Sequence, residues 1–219
     1  MNIACVTAIC GDYDKLTSEL PPDDGSKYIC FTDTPVIQCS RWDVRPACKD
    51  FSDWDANVRN AKRHKILIHE YVYCDYSLWI DGHVNLYKTP TQLVEQYLEN
   101  TDYDIITFKH WGRDCVYDEA EICMTLGLDK AELMQRQMSD YQAEGYPRKH
   151  GLNAGGTILR RHNKQVEEFN KFWWDQVCKY SKRDQLSLNY SIWKTGIKVG
   201  HFCAYHSPEN FISHRQHGY

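Results

Sequence analysis

The sequence lacks the usual signatures of a glycine-rich phosphate turn: it has no G-x-G-x-x-G and no G-x-x-x-x-G-K, so neither the dinucleotide fingerprint nor the P-loop is present. It has no C-x-x-C among its ten cysteines, and its first residues, Met1-Asn2-Ile3-Ala4-Cys5-Val6, have neither the basic start nor the small-residue cleavage site of a signal peptide. The cysteines are therefore expected to be small buried hydrophobes in a reducing compartment, not a disulfide frame or a zinc cluster. No apolar run is long enough to span a bilayer. The expectation is a soluble cytoplasmic protein, on the condition that the 219 residues are a whole chain and not a domain of a larger one. A basic surplus is missing too: 26 Lys and Arg stand against 30 Asp and Glu, a formal charge of −4. That argues against the broad positive field of a nucleic-acid binder, so any anion site has to be local. Repeats, low-complexity tracts and long linkers are absent, and the length suits one α/β domain.

What is present is a series of short apolar runs that end in carboxylates. Ser77-Leu78-Trp79-Ile80 reads as a strand buried on both faces, and it runs straight into Asp81-Gly82-His83. Ligands of such sheets bind beyond the carboxyl ends of the strands. A carboxylate and an imidazole flanking a glycine suit Mn²⁺ or a similar borderline cation, although D-x-H also arises by chance and Asp-Gly is an ordinary turn. Ile3 to Cys10 is a second such run, ending at Gly11-Asp12-Tyr13-Asp14, which is either a nucleotide contact through Tyr13 or a plain solvated turn. Lys27 to Thr32 repeats the design and ends at Asp33 on the same edge, and Trp42 to Arg45 before Pro46 reads as a further short strand.

A helix is expected from Ser52-Asp53, with Arg59, Lys62 and Arg63 on one face that either neutralises a diphosphate or is simply solvated. Thr89-Pro90 opens another helix, Asp104 to His110 is a strand, and a helical region runs from about Tyr117 to Ala143 with a break near Gly127. Gly151-Leu152-Asn153-Ala154-Gly155-Gly156 reads as a loop before a strand at Thr157 to Arg160. It serves either as a tight strand entry or as a close approach of backbone to ligand. Val166, Phe169, Trp173 and Val177 share a face of a core helix. Asp184, in Arg183-Asp184-Gln185-Leu186-Ser187, is a helix cap or a cleft carboxylate, with the cap favoured on pattern alone. The tail carries His201, His206, His214 and His217, from which another metal ligand could come.

Trp79-Ile80-Asp81-Gly82-His83 with Leu86, Lys109-His110 with Arg113-Asp114, and above all Arg183-Asp184-Gln185-Leu186-Ser187 resemble a glycosyltransferase-like family first catalogued as a domain of unknown function. It is similar to plant Golgi proteins of mucilage and wall polysaccharide synthesis, to bacterial members, and to a chlorella-virus capsid-glycan glycosyltransferase domain. The resemblance covers most of the chain. It implies a single-domain GT-A fold, a Rossmann-like α/β/α sandwich with a mixed, mostly parallel central sheet. It also implies a UDP-sugar donor, held through Mn²⁺ or Mg²⁺ by a D-x-D motif that is D-G-H here, a D-x-H variant of the kind that serves the same purpose in the polypeptide N-acetylgalactosaminyltransferases.

On the same resemblance, Asp81 and His83 hold the metal with His214 or His217. Thr7, Ala8, Gly11, Tyr13 and Asp33 lie where related enzymes hold uracil and ribose. Arg59, Lys62 and Arg63, together with Asp81 and Gly82, belong to donor-contacting segments, and Asn153 and Gly155 to the loop lining the sugar. Asp184 is the candidate catalytic residue, as base in an inverting reaction or as an electrostatic and positioning group in a retaining one. The implied activity is transfer of a hexose or deoxyhexose, glucose- or rhamnose-like, to a glycan hydroxyl, with no nucleic acid and no membrane span involved. Two other readings remain: a hydrolase of a lipid or glycan, since one plant relative is described as acting on a lipid amide, and a non-catalytic carbohydrate-binding module.

Overall fold

The computed structural model describes residues 1–34, 41–52, 55–204, 207 and 209–216. In chain order they form β1 (Ile3–Ile9), β2 (Lys27–Thr32), β3 (Trp42–Pro46), α1 (Ala56–Ile66), α2 (Ile68–Tyr71), β4 (Tyr76–Ile80), β5 (Val84–Leu86), α3 (Pro90–Tyr97) and β6 (Ile105–Lys109). There follow α4 (Val116–Thr125), α5 (Ala131–Ala143), β7 (Asn153–Arg161), α6 (Lys164–Lys179), α7 (Gln185–Thr195), β8 (Val199–His201) and β9 (Ile212–His214). Seven strands make one sheet in the order β3-β2-β1-β4-β7-β6-β8, and β5 pairs with β9 in a small second sheet. Strands β1 to β4 are mutually parallel, β6 and β8 are parallel to each other, and β7 runs antiparallel to both of its neighbours. The expected mixed, mostly parallel sheet is therefore present, and the carboxyl ends of β1, β2, β4 and β6 share one edge.

Side-chain alternation explains why the strands read as unbroken apolar runs. Val6, Trp79 and Ile158 face one apolar layer with the α6 residues Val166, Phe169, Trp173 and Val177, whereas Cys5, Leu78, Ile80 and Leu159 face the other with Leu93 and Val94 of α3. Both faces are covered, as a parallel sheet requires. Helix α3 starts as expected: Thr89 accepts from Gln92 N–H, the Gln92 side chain accepts from Thr89 N–H, and Pro90 occupies the first turn.

Two expectations need correction. Helix α1 begins at Ala56, not at Ser52 or Asp53, and Asp53 lies outside the described residues. Asp55 precedes the helix but makes no capping bond with its side chain, since its carboxylate meets Lys182 at 2.5 Å. Gly155 and Gly156 are not in a loop but inside β7. The ladder between β6 and β7 jumps there from Thr107↔Ile158 to Phe108↔Ala154, so the glycine pair bulges out of the β6 ladder beside β4. Among the nine described cysteines none forms a disulfide; six are buried, Cys48 and Cys203 are half-buried, and Cys178 is exposed.

Trp173 is the largest fully buried side chain among the described residues, and its indole N–H donates to the carbonyl of Asp184 at 3.0 Å, tying α6 to the start of α7. Trp173→Ala is expected to lower unfolding stability by about 3–5 kcal/mol, read as a fall in the urea midpoint.

Candidate active site

At the carboxyl edge of β1 and β4 lies a cleft of about 650 Å³, within the range of small-molecule sites. Its walls come from the loop after β1 (Gly11, Tyr13, Asp14), from α1 (Asn57, Val58, Ala61, Lys62, Lys65), from Asp81-Gly82-His83, from the glycines of β7, and from Lys182 to Gln185. Four cations line it, Lys62, Lys65, Lys182 and Arg183, against the three carboxylates Asp14, Asp81 and Asp184. A chain with a formal charge of −4 thus keeps a local positive surplus here.

Asp184 is the centre of that charge. It stands at the helix-cap position of α7 but makes no side-chain cap bond, so the favoured cap reading is corrected. Its carboxylate turns into the cleft and receives Lys62 Nζ at 2.8 Å and Lys65 Nζ at 2.7 Å. All three side chains are largely buried. Burial alone would raise the Asp184 pKa, but the two ammonium groups outweigh it and hold the carboxyl well below the usual carboxylate range. The lysines respond in opposite directions. Burial lowers Lys62 more than Asp184 restores it, whereas Lys65 resists the same burial because it has two carboxylates, Asp184 and Asp81 at 3.5 Å, and is raised.

The turn Asp81-Gly82-His83 is closed by Val84 N–H donating to Asp81 O and fixed to β7 by Asp81 N–H donating to Gly156 O at 2.8 Å. Trp79 Nε1 donates to Asp81 Oδ1 at 2.7 Å and orients the carboxylate. Small residues make room for these charges. A Cβ at Gly82 would come within 2.9 Å of the Asp14 side chain, one at Gly156 within 3.2 Å of Asp81 Oδ2, and one at Gly155 within 3.2 Å of Lys65 Nζ. His83 Nε2 lies 3.2 Å from His214 Nδ1, across the β5–β9 pairing that sets Val84 opposite His214, and Asp14 Oδ2 is 3.9 Å from His83 Nδ1. Two imidazole nitrogens at that separation share either one hydrogen bond or one cation with bonds of about 2.1 Å. The donor types fit a borderline divalent ion, yet among the described residues no three His, Cys, Asp or Glu side chains already meet as a metal site. His217 and His206 lie outside the described residues.

The remaining candidates divide. Ala8, Gly11 and Tyr13 line the cleft, with Tyr13 half exposed. Gly11 has φ +68°, a conformation that favours glycine, and its N–H donates to Asp33 at 2.9 Å. Asp33 thus shapes the first loop. Thr7 is buried beneath the cleft and does not line it. Arg59 and Arg63 point elsewhere: Arg59 donates to Val177 O, and Arg63 pairs with Asp50 and Glu70 and bonds the Tyr71 hydroxyl. Of the expected basic face only Lys62 reaches the cleft. Asn153 is buried and ties strands to α7, its N–H donating to Asn189 Oδ1 and its Oδ1 meeting His201 Nε2 at 3.0 Å.

Sequence reasoning missed Lys65, Arg183 and Arg215. Lys65 had a signal, since it continues the Val58, Ala61, Lys62 stripe at helical spacing. Arg183 stands beside Asp184 and lines the cleft, and its Nε is buried without a hydrogen-bond partner among the described residues. Arg215 donates to Gly82 O at 2.6 Å and to Lys15 O at 2.7 Å, so the tail clasps the Asp81-Gly82-His83 turn.

A charged cleft at the carboxyl edge of such a mixed sheet is the architecture of GT-A-like glycosyltransferases, and solved structures with this fold agree. Mouse xyloside xylosyltransferase 1 has a TM-score of 0.50 at 6% identity, over 92% of this chain and 84% of that one. The bifunctional glycosyltransferase WbbM has a TM-score of 0.54 at 11% identity, over 92% of this chain and 38% of its own. The glycosyltransferase GlyE of Streptococcus pneumoniae gives 0.50 at 13%, over 92% and 45%. At these identities the likeness shows the fold alone. Residues 49–211 match the family model described as TOD1/MUCI70, glycosyltransferase-like domain, and the chain belongs to that family. A curated relative, the Arabidopsis thaliana protein named "Probable hexosyltransferase MUCI70", is 30% identical over 140 residues, 60% of this chain. The matched part is 24% of that relative's length.

The Asp184 pair makes a pH prediction. Its folded pKa lies below the ordinary value of about 3.9, so its contribution to stability is complete above that value and is lost as pH falls through the folded pKa. Asp184→Asn, which takes the nearest carboxylate from two buried ammonium groups, is expected to cost about 3–5 kcal/mol at pH 7. The gap to the wild type should narrow below about pH 4, where the wild-type carboxylate begins to lose its advantage. Urea unfolding of both proteins from pH 7 to pH 3 measures this, and a constant gap would contradict it.

Proposed function

We propose that this chain is the transferase domain of an enzyme that moves a hexose or deoxyhexose from a UDP-sugar to a glycan hydroxyl. The observation that carries this reading is the pair of buried ammonium groups, Lys62 and Lys65, held on one cleft carboxylate at the sheet's ligand edge. The buried lysines and Arg183, whose Nε has no hydrogen-bond partner among the described residues, are the groups a diphosphate would engage, since its oxygens accept charge-assisted hydrogen bonds. Family membership and the hexosyltransferase name of the plant relative support the sugar class. Tyr13 on the rim offers a ring for a base.

In the transfer, a bond forms between the acceptor oxygen and the anomeric carbon. The bond from that carbon to the phosphate oxygen breaks, the diphosphate keeping the electron pair, and the acceptor hydroxyl's proton passes to that departing phosphate oxygen. Negative charge therefore grows on the diphosphate, where Lys62, Lys65 and Arg183 stabilise it. A divalent ion, Mn²⁺ or Mg²⁺, would be held by Asp81 with His83 and His214 and would neutralise part of the same charge. Asp184 is a poor proton acceptor while two ammonium groups hold its pKa down, so its role is electrostatic: its carboxylate orients the lysines and faces the positive charge of the sugar ring. This supports the retaining alternative over the inverting one.

Calorimetric titration of UDP with and without Mn²⁺ tests the reading. Binding should need the metal and be lost in Asp81→Ala, and Lys65→Met should weaken it by about tenfold or more, the worth of a charged hydrogen bond. Asp184→Asn should retain UDP binding within a few-fold and lose turnover. Absence of UDP binding under every condition would return the hydrolase and carbohydrate-binding readings.

A further inference from the structure

Among the described large apolar side chains left exposed, Tyr13, Val58 and Leu128 line the cleft, whereas Trp111, 80% exposed, stands outside its lining. Tyr73, more exposed still, precedes β4 at the opposite edge of the sheet, and Tyr87 is bonded through its hydroxyl to Ser213. Trp111 follows β6, whose carboxyl end shares the cleft's edge, and β6 is the neighbour of β7 on the side away from Tyr13. Single exposed hydrophobic residues are common and mean little by themselves. This one is mounted on a braced loop.

His110 Nδ1 accepts from the N–H groups of Gly112 and Arg113 at 3.2 and 3.0 Å, folding the loop around the imidazole. Arg113 is in turn anchored on Glu119, which is buried. Two routes join this loop to the cleft. His110 N–H donates to Leu152 O at 2.8 Å, and the next residue, Asn153, accepts through its carbonyl from Gln185 Nε2 at 3.2 Å, Gln185 being a cleft residue. Glu119 also accepts from Cys123 Sγ at 3.6 Å, and Cys123 in turn lies within reach of the Arg183 side chain.

We infer that Trp111 is a stacking platform for the acceptor, taking a glycan of pyranose residues one or more sugars away from the transfer point. The inference rests on the transferase reading above. Along the carboxyl edge the order is Tyr13 after β1, Asp81 after β4, the β7 glycines and then Trp111 after β6, outside the cleft's own lining, so a chain leaving the sugar site on the far side from the nucleotide heads toward the indole. An aromatic face carries negative charge density and attracts the polarised C–H bonds on the apolar face of a pyranose. A ring held by a braced loop loses little freedom on binding, which is where affinity is gained.

The test uses the intact protein with saturating UDP and Mn²⁺, and cellohexaose, xylohexaose and mannohexaose as probes, following indole N–H resonances by NMR. At least one hexaose is expected to shift the resonance that Trp111→Ala deletes. Its Kd should rise about tenfold or more in Trp111→Ala and stay within a few-fold in Trp111→Phe. Equal binding by Trp111→Ala, or no shift of that resonance with any of the three, would overturn the platform. UDP titrations of the same proteins separate the two failures: UDP binding without glycan binding sinks the platform alone, and absent UDP binding in the wild type sinks the transferase reading on which it rests.

Discussion

Two lysines on one buried carboxylate are the constraint around which this cleft is built. Removing charged groups from water is costly, and a carboxylate shared by Lys62 and Lys65 offsets that cost only if all three stay within hydrogen-bond distance. Much of the surrounding structure serves that arrangement. Trp173 holds the Asp184 carbonyl, α1 brings both lysines to the sheet edge, and Gly155 leaves the space that Lys65 Nζ fills. The arrangement has one negative centre and two positive ones, so an incoming anion can compete for the lysines without leaving the carboxylate bare. That suits the proposed function, in which the site binds and releases a diphosphate.

The antiparallel strand β7 gives the cleft its shape. Its bulge lies between the β6 and β4 ladders and carries glycines past Asp81 and Lys65, where any side chain would crowd them. The tail approaches from the other side. Pairing of β5 with β9 and the two carbonyl contacts of Arg215 place His214 against His83. The Asp81-Gly82-His83 turn is thus held between an internal strand and a segment more than 130 residues later, an arrangement with no local sequence signal.

The strands were legible because burial on both faces writes itself as continuous apolar runs, and Asp81 was legible because such a run stops at it. Capping at Thr89 and the aromatic stripe of α6 follow from spacing alone. Other features depended on information that the sequence spreads over distance. The orientation of α1 decides that Lys62 and Lys65 enter the cleft while Arg59 and Arg63 bond Val177 and Tyr71, and that orientation is set by packing against the sheet. Lys65 was readable in principle as a lysine within an apolar stripe. Asp184 looked like a cap because its position is one; only the two lysines from α1 turn its carboxylate inward. The glycines of β7 looked like a loop because glycine weakens strands in general, and their place in a bulge depends on what lies beside them.

A crystal structure of the protein with UDP and Mn²⁺ tests the central claim most directly. The expected result is a diphosphate oxygen within hydrogen-bond distance of Lys62 or Lys65 and an ion on Asp81, with Asp184 still in the cleft. A nucleotide whose diphosphate touches neither lysine, or one bound away from the carboxyl edge of β1 and β4, would contradict the account.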